Sequence, residues 1–322
     1  MSRVSQASIQ AWVHTLRYEA KDIISVELRP AHGEFPAFAA GAHIDLHLPN
    51  GMVRSYSLLN DSRERHRYVL GVLKDGKSRG GSRCVHEQLR VGMALTLSEP
   101  RNHFPLNEGA AHSVLIAGGI GVTPLLCMAR RLKALGRSFE FVYFSRSRAH
   151  AAFVAEVDAL GVDTTWHFDD EQGGPPDLKA LLARRAPDAQ THFYACGPAV
   201  MLDAFEAACQ TLGHANAHIE RFAAVEVAAA ADARQQLSVE LRQSGIRFEV
   251  TPDTDLHQCL LKLNANVPFS CEEGICGSCE TRVLEGEVDH RDSVLTPAER
   301  QENKVMMVCV SGCKSAHLVL DL

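Results

Sequence analysis

The chain has 322 residues, 46% of them hydrophobic and 22% charged, with a formal net charge of −6. That length supports two or three separate cores, while no apolar run approaches the roughly 20 residues that span a bilayer. No basic stripe exists to meet the phosphates of a nucleic acid, and the opening MSRVSQASIQAW lacks an apolar leader stretch, so a cytoplasmic location is expected.

The charge is uneven. Residues 237–322 hold 14 Asp/Glu against 8 Lys/Arg, so the preceding part of the chain sums to zero. An acidic C-terminal segment suits docking onto a basic patch of another protein. There are 10 cysteines, which a reducing cytosol would turn toward metal or redox chemistry rather than disulfides. Cys84, Cys127, Cys196, Cys209 and Cys259 are scattered, whereas Cys271, Cys276, Cys279, Cys309 and Cys313 crowd the end of the chain.

From about residue 8 to 103 the pattern alternates as strands do. Ile44–Leu48 and Arg67–Leu73 are short period-2 runs, punctuated by Pro49-Asn50-Gly51 and Lys74-Asp75-Gly76. This predicts an antiparallel barrel, interrupted by one helix near Ser82–Val91 that Ser82 would cap. Within it, Arg54-Ser55-Tyr56-Ser57 supplies a fixed cation for a phosphate, a ring to cover a flavin face and a hydroxyl for a ring nitrogen. Arg79-Gly80-Gly81-Ser82 adds a second arginine and open amides at a helix start. Each alone reads equally well as a surface turn, and together they suggest a flavin phosphate site.

The pattern changes at Ser113. The apolar run Val114–Ala117 leads into Gly118-Gly119-Ile120-Gly121-Val122-Thr123-Pro124 and then a helix over Leu125–Leu135. Phe139–Phe144 and His192–Ala195 are further buried-type strands, and strands alternating with helices predict a parallel α/β domain. The glycine turn is not the strict G-x-G-x-x-G fingerprint, and a packing role fits it nearly as well as anion binding. A second glycine turn, Cys196-Gly197-Pro198, would lie with it at the carboxyl ends of the strands, where ligands bind. After the second strand comes Ser145-Arg146-Ser147-Arg148, whose arginines could hold a 2′-phosphate, where an acidic residue would mark NADH more clearly.

The Ala-rich stretch after Phe222 resembles an interdomain linker. β character returns at Leu237, with a hairpin around Ser244-Gly245. Then follow Cys271, Cys276 and Cys279, with Cys309 beyond, in the C-x4-C-x2-C…C spacing of a plant-type 2Fe-2S cluster. Three thiolates converging from one tight loop need Gly274 and Gly277 to relieve Cβ clashes. A structural zinc site would favour paired CxxC units instead. Cys309 lies in the apolar, strand-like run Val305–Val310 and is taken as the fourth ligand. Cys313, in an expected turn beyond Gly312, is set aside.

The order RSYS, GGIGVTP, ACGP and CEEGICGSC, with SRGGSRCVHEQLRVG, HFDDEQGGPPDL and the ending VCVSGCKSAHLVLDL, resembles the phthalate dioxygenase reductase family over nearly the whole chain. These are the reductase components of Rieske-type aromatic oxygenases, including that of vanillate O-demethylase. The resemblance implies a multi-domain fold. An antiparallel β-barrel flavin domain would span 1–107 and an α/β parallel-sheet NAD domain 108–225. A linker at 226–236 would lead to a plant-type ferredoxin domain (β-grasp, α+β) at 237–322.

It also implies site residues. Arg54, Ser55, Tyr56 and Ser57 would hold FMN, with Gly71, Val72 and Leu73 along the ring and Arg79, Gly80, Gly81 and Ser82 on its phosphate. Gly118, Gly119, Gly121, Thr123, Pro124, Ser145, Arg146, Cys196, Gly197 and Pro198 would bind NADH, and Glu220 and Phe222 would close the site. Ser57 and Cys196 would orient the reacting rings. FMN is expected over FAD, because Ser98–Leu106 shows no adenine-binding insertion. The implied activity is that of an NADH-dependent iron-sulfur flavoprotein oxidoreductase. It would be a monomer that passes single electrons through the cluster to a Rieske oxygenase. A redox-sensing module without an oxygenase partner is the alternative and would need an output element beyond the cysteines. A stand-alone hydroxylase would need a 2-His-1-carboxylate or Rieske C-x-H pattern, and neither is visible.

Overall fold

Period-2 burial and frequent turns build the first sheet from six strands. They are β1 (Ile9–Ala20), β2 (Ile23–Pro30), β3 (His43–His47), β4 (Val53–Ser57), β5 (Tyr68–Leu73) and β6 (Ala94–Leu97). In the computed structural model, which describes residues 8–76, 79–185, 188–223, 236–251 and 253–322, they lie in the order β4-β3-β6-β1-β2-β5. Every pairing in the sheet is antiparallel. The outer strands meet through a bridge between Leu58 and Leu70 and a bond from the Leu59 amide to the Val69 carbonyl at 3.0 Å. The sheet thereby closes on itself as the expected barrel, which removes its free edges.

The second sheet is wholly parallel: β7 (His112–Gly118), β8 (Ser138–Ser145), β9 (Thr164–Phe168), β10 (Thr191–Cys196) and β11 (Ala217–Glu220), in the order β11-β10-β7-β8-β9. Its strands read as continuous apolar runs because both faces are covered. Leu115, Ala117 and Tyr194 face an apolar core continuous with the barrel. Val114, Ile116, Phe193 and Ala195 face a second core with Leu202 and Phe205. The strand order reverses between β7 and β10, so the ligand crevice of such a sheet lies outside their carboxyl ends.

By backbone contacts the chain divides into two compact units, Ala7–Phe222 and a second running from Ala223 to Leu322. The barrel and the parallel sheet thus share one unit. The linker expected at 226–236 lies, apart from Gln236, outside the described residues. The second unit is a mixed sheet of β12 (Leu237–Leu241), β13 (Ile246–Val250), β14 (Glu280–Glu285), β16 (Val305–Met307) and β18 (His317–Leu320), with β15 (Val288–Asp289) paired to β17 (Gly312–Cys313) alongside. Among the described residues no helix is long and apolar enough to cross a membrane.

Three local expectations change. The helix in the barrel runs Gly81–Gln88, and Gly80, at φ 115°, precedes it as the cap. Ser82 is already helical, and its hydroxyl accepts from the Asp75 amide at 3.2 Å. The strand expected to carry Cys309 stops at Met307, so Cys309 sits in the turn beyond it. Cys313, expected in a turn, belongs to the short strand β17. A positive-φ glycine sets the first boundary, bonds from the Val310 and Ser311 amides to the Met307 carbonyl close the turn that holds Cys309, and pairing with Val288 makes Cys313 a strand residue.

Candidate functional site

The two glycine turns lie side by side at the sheet's crossover. A Cβ on Gly121 would stand 2.1 Å from the Cys196 carbonyl oxygen, and one on Gly197 would stand 3.0 Å from the Gly118 Cα. These glycines therefore serve close packing of one turn on the other, the plainer of the two roles expected for them. The only side chain in the loop from Gly118 to the helix Val122–Ala134 is that of Ile120, which packs against the core. Gly119, at φ 54°, has no neighbour among the described residues within 4 Å of a Cβ position. Thr123 and Pro124 are buried. The Thr123 hydroxyl donates to the Ile120 carbonyl at 3.1 Å. Its methyl lies 2.6 Å from where a Gly71 Cβ would be, so Gly71 of β5 lets the barrel approach this helix.

At the same crevice the barrel meets the last strand of the parallel sheet. The Ser57 hydroxyl, at the end of β4, donates to Glu220 Oε2 at 3.2 Å, across 163 residues of sequence. Glu220 ends β11 and is in register with Cys196 on β10. Burial raises the Glu220 carboxyl from its ordinary value up to about 8, against the opposing pull of the Ser57 hydrogen bond. Burial likewise lifts the Cys196 thiol well above the ordinary range, and the neighbouring Glu220 charge adds to it. Both groups are suited to stay neutral at pH 7 and to orient a ligand rather than to ionise. Phe222, two residues on, is exposed.

The other members of the serine-tyrosine box divide by face. Ser55 donates to Asp45 Oδ1 at 2.7 Å, and the buried Asp45 pairs with Arg101 at 2.7 Å, so the Ser55 hydroxyl is committed to that pair. Arg54 lies over the start of the helix Gly81–Gln88, where a Cβ on Gly81 would come within 2.6 Å of its Cγ and Nε. Among the described residues no side chain caps that helix, and its first turn holds no acid, which suits an anion. The resulting cradle, a guanidinium over a glycine-opened helix start, fits a flavin phosphate. Tyr56, whose hydroxyl burial holds neutral, shares β4 with them. Val72 is buried and Leu73 half-buried on β5.

At the carboxyl end of β8, Ser145 is buried and Arg146 exposed. Arg148 forms a two-pronged ion pair with Glu171, at 2.7 and 3.1 Å. Sequence reasoning gave Glu171 no role, although it lies within the HFDDEQ stretch that carries part of the resemblance.

In the second unit, Cys271, Cys276, Cys279 and Cys309 are all buried. Their thiols group two and two: Cys271 lies within hydrogen-bond reach of Cys276, and Cys279 of Cys309. The loop turns through Gly274 (φ 68°) and Gly277 (φ 70°), and a Cβ on Gly274 would strike Val310 at 2.6 Å. The Glu273 amide points at the Cys271 sulfur, 3.4 Å away. Among the described residues, no three His, Cys, Asp or Glu side chains gather as ligands of a single ion would. Two thiolate pairs fit two irons, not one zinc. Cys313 is engaged elsewhere, its Sγ 3.2 Å from the Glu287 carbonyl oxygen.

A profile of the 2Fe-2S iron-sulfur cluster binding domain matches residues 239–314. The chain is 46% identical to phenoxybenzoate dioxygenase subunit beta of Ectopseudomonas oleovorans, over 99% of this chain and 98% of that protein. Among solved structures it is similar to phthalate dioxygenase reductase, described as a modular structure for electron transfer from pyridine nucleotides to 2Fe-2S. That match has 37% identity and a TM-score of 0.72, and covers 100% of both chains. It also matches an intact type IV self-sufficient cytochrome P450 monooxygenase at 38% identity and a TM-score of 0.90, covering 98% of this chain but spanning only 41% of that one.

Proposed function

Since the chain belongs to the phthalate dioxygenase reductase family, we propose that it is the electron-transfer reductase component of a two-component aromatic-acid oxygenase or O-demethylase. It takes hydride from NADH to FMN and passes single electrons through a 2Fe-2S cluster to a Rieske-type oxygenase. The observation that carries this is the Ser57–Glu220 hydrogen bond, which joins the flavin-type barrel to the nucleotide-type sheet at the sheet's ligand crevice.

When bound, the flavin splits a two-electron hydride into single electrons that the cluster can carry, chemistry that no side chain supplies. The protein binds, orients and excludes water. Arg54 and the amides of Gly80, Gly81 and Ser82 hold the FMN phosphate, Arg79 adds charge, and Tyr56 with Gly71, Val72 and Leu73 lines the ring. Ser55 shares the flavin strand β4 but gives its hydroxyl to Asp45. The turns Gly118–Pro124 and Cys196–Pro198, with Ser145 and Arg146, take the dinucleotide. Ser57 and the neutral Cys196 thiol orient the two rings, while Glu220 and Phe222 close the site. Cys271, Cys276, Cys279 and Cys309 hold the cluster. The protein works in the cytoplasm as a monomer, and the acidic segment around Glu272 and Glu273 meets the oxygenase.

Anaerobic stopped-flow mixing with NADH tests the scheme: the flavin band bleaches first and the cluster band follows. Failure of both bands to bleach would end it. The match to a P450 chain favours a second reading, in which the recipient is a haem oxygenase. Reconstituting turnover with a Rieske oxygenase or with a P450 distinguishes the two.

A further inference from the structure

The arginine-serine run after β8 finds no full explanation in that scheme. In an open parallel sheet, the strand next to the one feeding the glycine turn ends beside the adenosine ribose. Arginine there suits a 2′-phosphate and a carboxylate suits a free 2′-hydroxyl. β7 feeds the glycine turn and β8 is its neighbour, so Arg146 and Arg148 stand where a 2′-phosphate would be recognised.

Arg148, however, is engaged. Its Nε and Nη2 donate to the two Glu171 carboxylate oxygens at 2.7 and 3.1 Å, and its guanidinium carbon lies 4.4 Å from the centre of the Phe168 ring. The Asp170 amide donates to the Arg146 carbonyl at 3.1 Å, which ties the acidic turn Asp169-Asp170-Glu171 to the end of β8. The ion pair is well exposed, with 71% and 44% of the two side chains accessible. Such pairs add little to stability, so its two-pronged geometry matters for where it places charge.

We propose that Glu171 is a positioning residue for nucleotide choice. By holding Arg148 in a two-pronged ion pair, it withholds one of the two arginines that stand where a 2′-phosphate would be recognised, and so the protein prefers NADH to NADPH. This rests on the functional proposal above and extends it to the discrimination between the two nucleotides. Phe168 keeps the guanidinium at the strand end, so removing the carboxylate frees Arg148 without displacing it. A phosphate arriving in the unmodified protein must compete with Glu171 and also face Asp169 and Asp170.

The test compares kcat and KM for NADH and NADPH in the unmodified protein, in Glu171→Ala and in Glu171→Ala/Arg148→Gln. Calorimetric binding of adenosine 2′,5′-bisphosphate gives a readout independent of turnover. One regained charge-assisted hydrogen bond corresponds to about a 10-fold or greater gain. Glu171→Ala should therefore lower KM for NADPH by about that factor, with little change in kcat. Affinity for the bisphosphate should rise in parallel, and the double variant should lose both gains. Continued reduction by NADH in Glu171→Ala shows that the fold holds. An unchanged NADPH KM in that variant overturns the proposal, as does a gain that survives loss of Arg148. If the unmodified protein is not reduced by NADH at all, the functional proposal itself falls and takes this inference with it.

Discussion

Glu220 lends itself to a test in which both sign and size are set by the structure. Burial raises its carboxyl pKa from 4.5 to about 8. At 1.36 kcal/mol per pKa unit, that separation is worth on the order of 5 kcal/mol. A carboxyl whose folded pKa lies above its unfolded value keeps its proton longer in the folded state. Stability therefore falls as pH rises through the window between the two values, and the contribution is fully present only below it. Replacing Glu220 by Gln removes the titration but keeps the shape and a partner for Ser57. Both tryptophans, Trp12 and Trp166, belong to the Ala7–Phe222 unit, so urea unfolding followed by tryptophan fluorescence reports on that unit alone. The unfolding free energies of the two proteins should be close near pH 4.5. Toward pH 8 and above they should separate by several kcal/mol in favour of the variant. Parallel profiles across the window would refute the burial argument.

Three further outcomes follow from the same geometry. Cys309→Ser should abolish the cluster's visible absorption, whereas Cys313→Ser should retain it, because the Cys313 sulfur sits against the Glu287 carbonyl; an absorption spectrum decides. Asp45→Ala leaves Arg101 without its 2.7 Å partner and should cost about 3 kcal/mol or more in fluorescence-monitored unfolding. Gly121→Ala drives a methyl to 2.1 Å from the Cys196 carbonyl oxygen. It should slow flavin reduction by NADH on the order of 10-fold or more, with cluster absorption intact.

Much of the fold was legible in short-range pattern. Alternation in Ile44–Leu48 gave a barrel strand, and the continuous apolar run Val114–Ala117 gave a strand covered on both faces, since side-chain periodicity reports burial directly. Boundaries were less legible. The start of the helix at Gly81 depends on the positive φ of Gly80, and Ser82, the better capping residue by chemistry, is spent on Asp75. The glycine turns were visible too, but the contact of Gly121 with Cys196 joins residues far apart in sequence.

The cysteine spacing by itself determined the cluster chemistry, because a loop that brings three thiolates together must be short and glycine-relieved, and both features are local. What only the tertiary structure decided is which side chains remain available to a ligand. Ser55 and Ser57 are two residues apart, yet one is claimed by Asp45 within the barrel domain while the other meets Glu220 at the ligand crevice. Arg146 and Arg148 are likewise two apart, and it is Arg148 that Glu171 holds. Hydrogen bonds and ion pairs depend on distance in space, and a sequence records distance only along the chain.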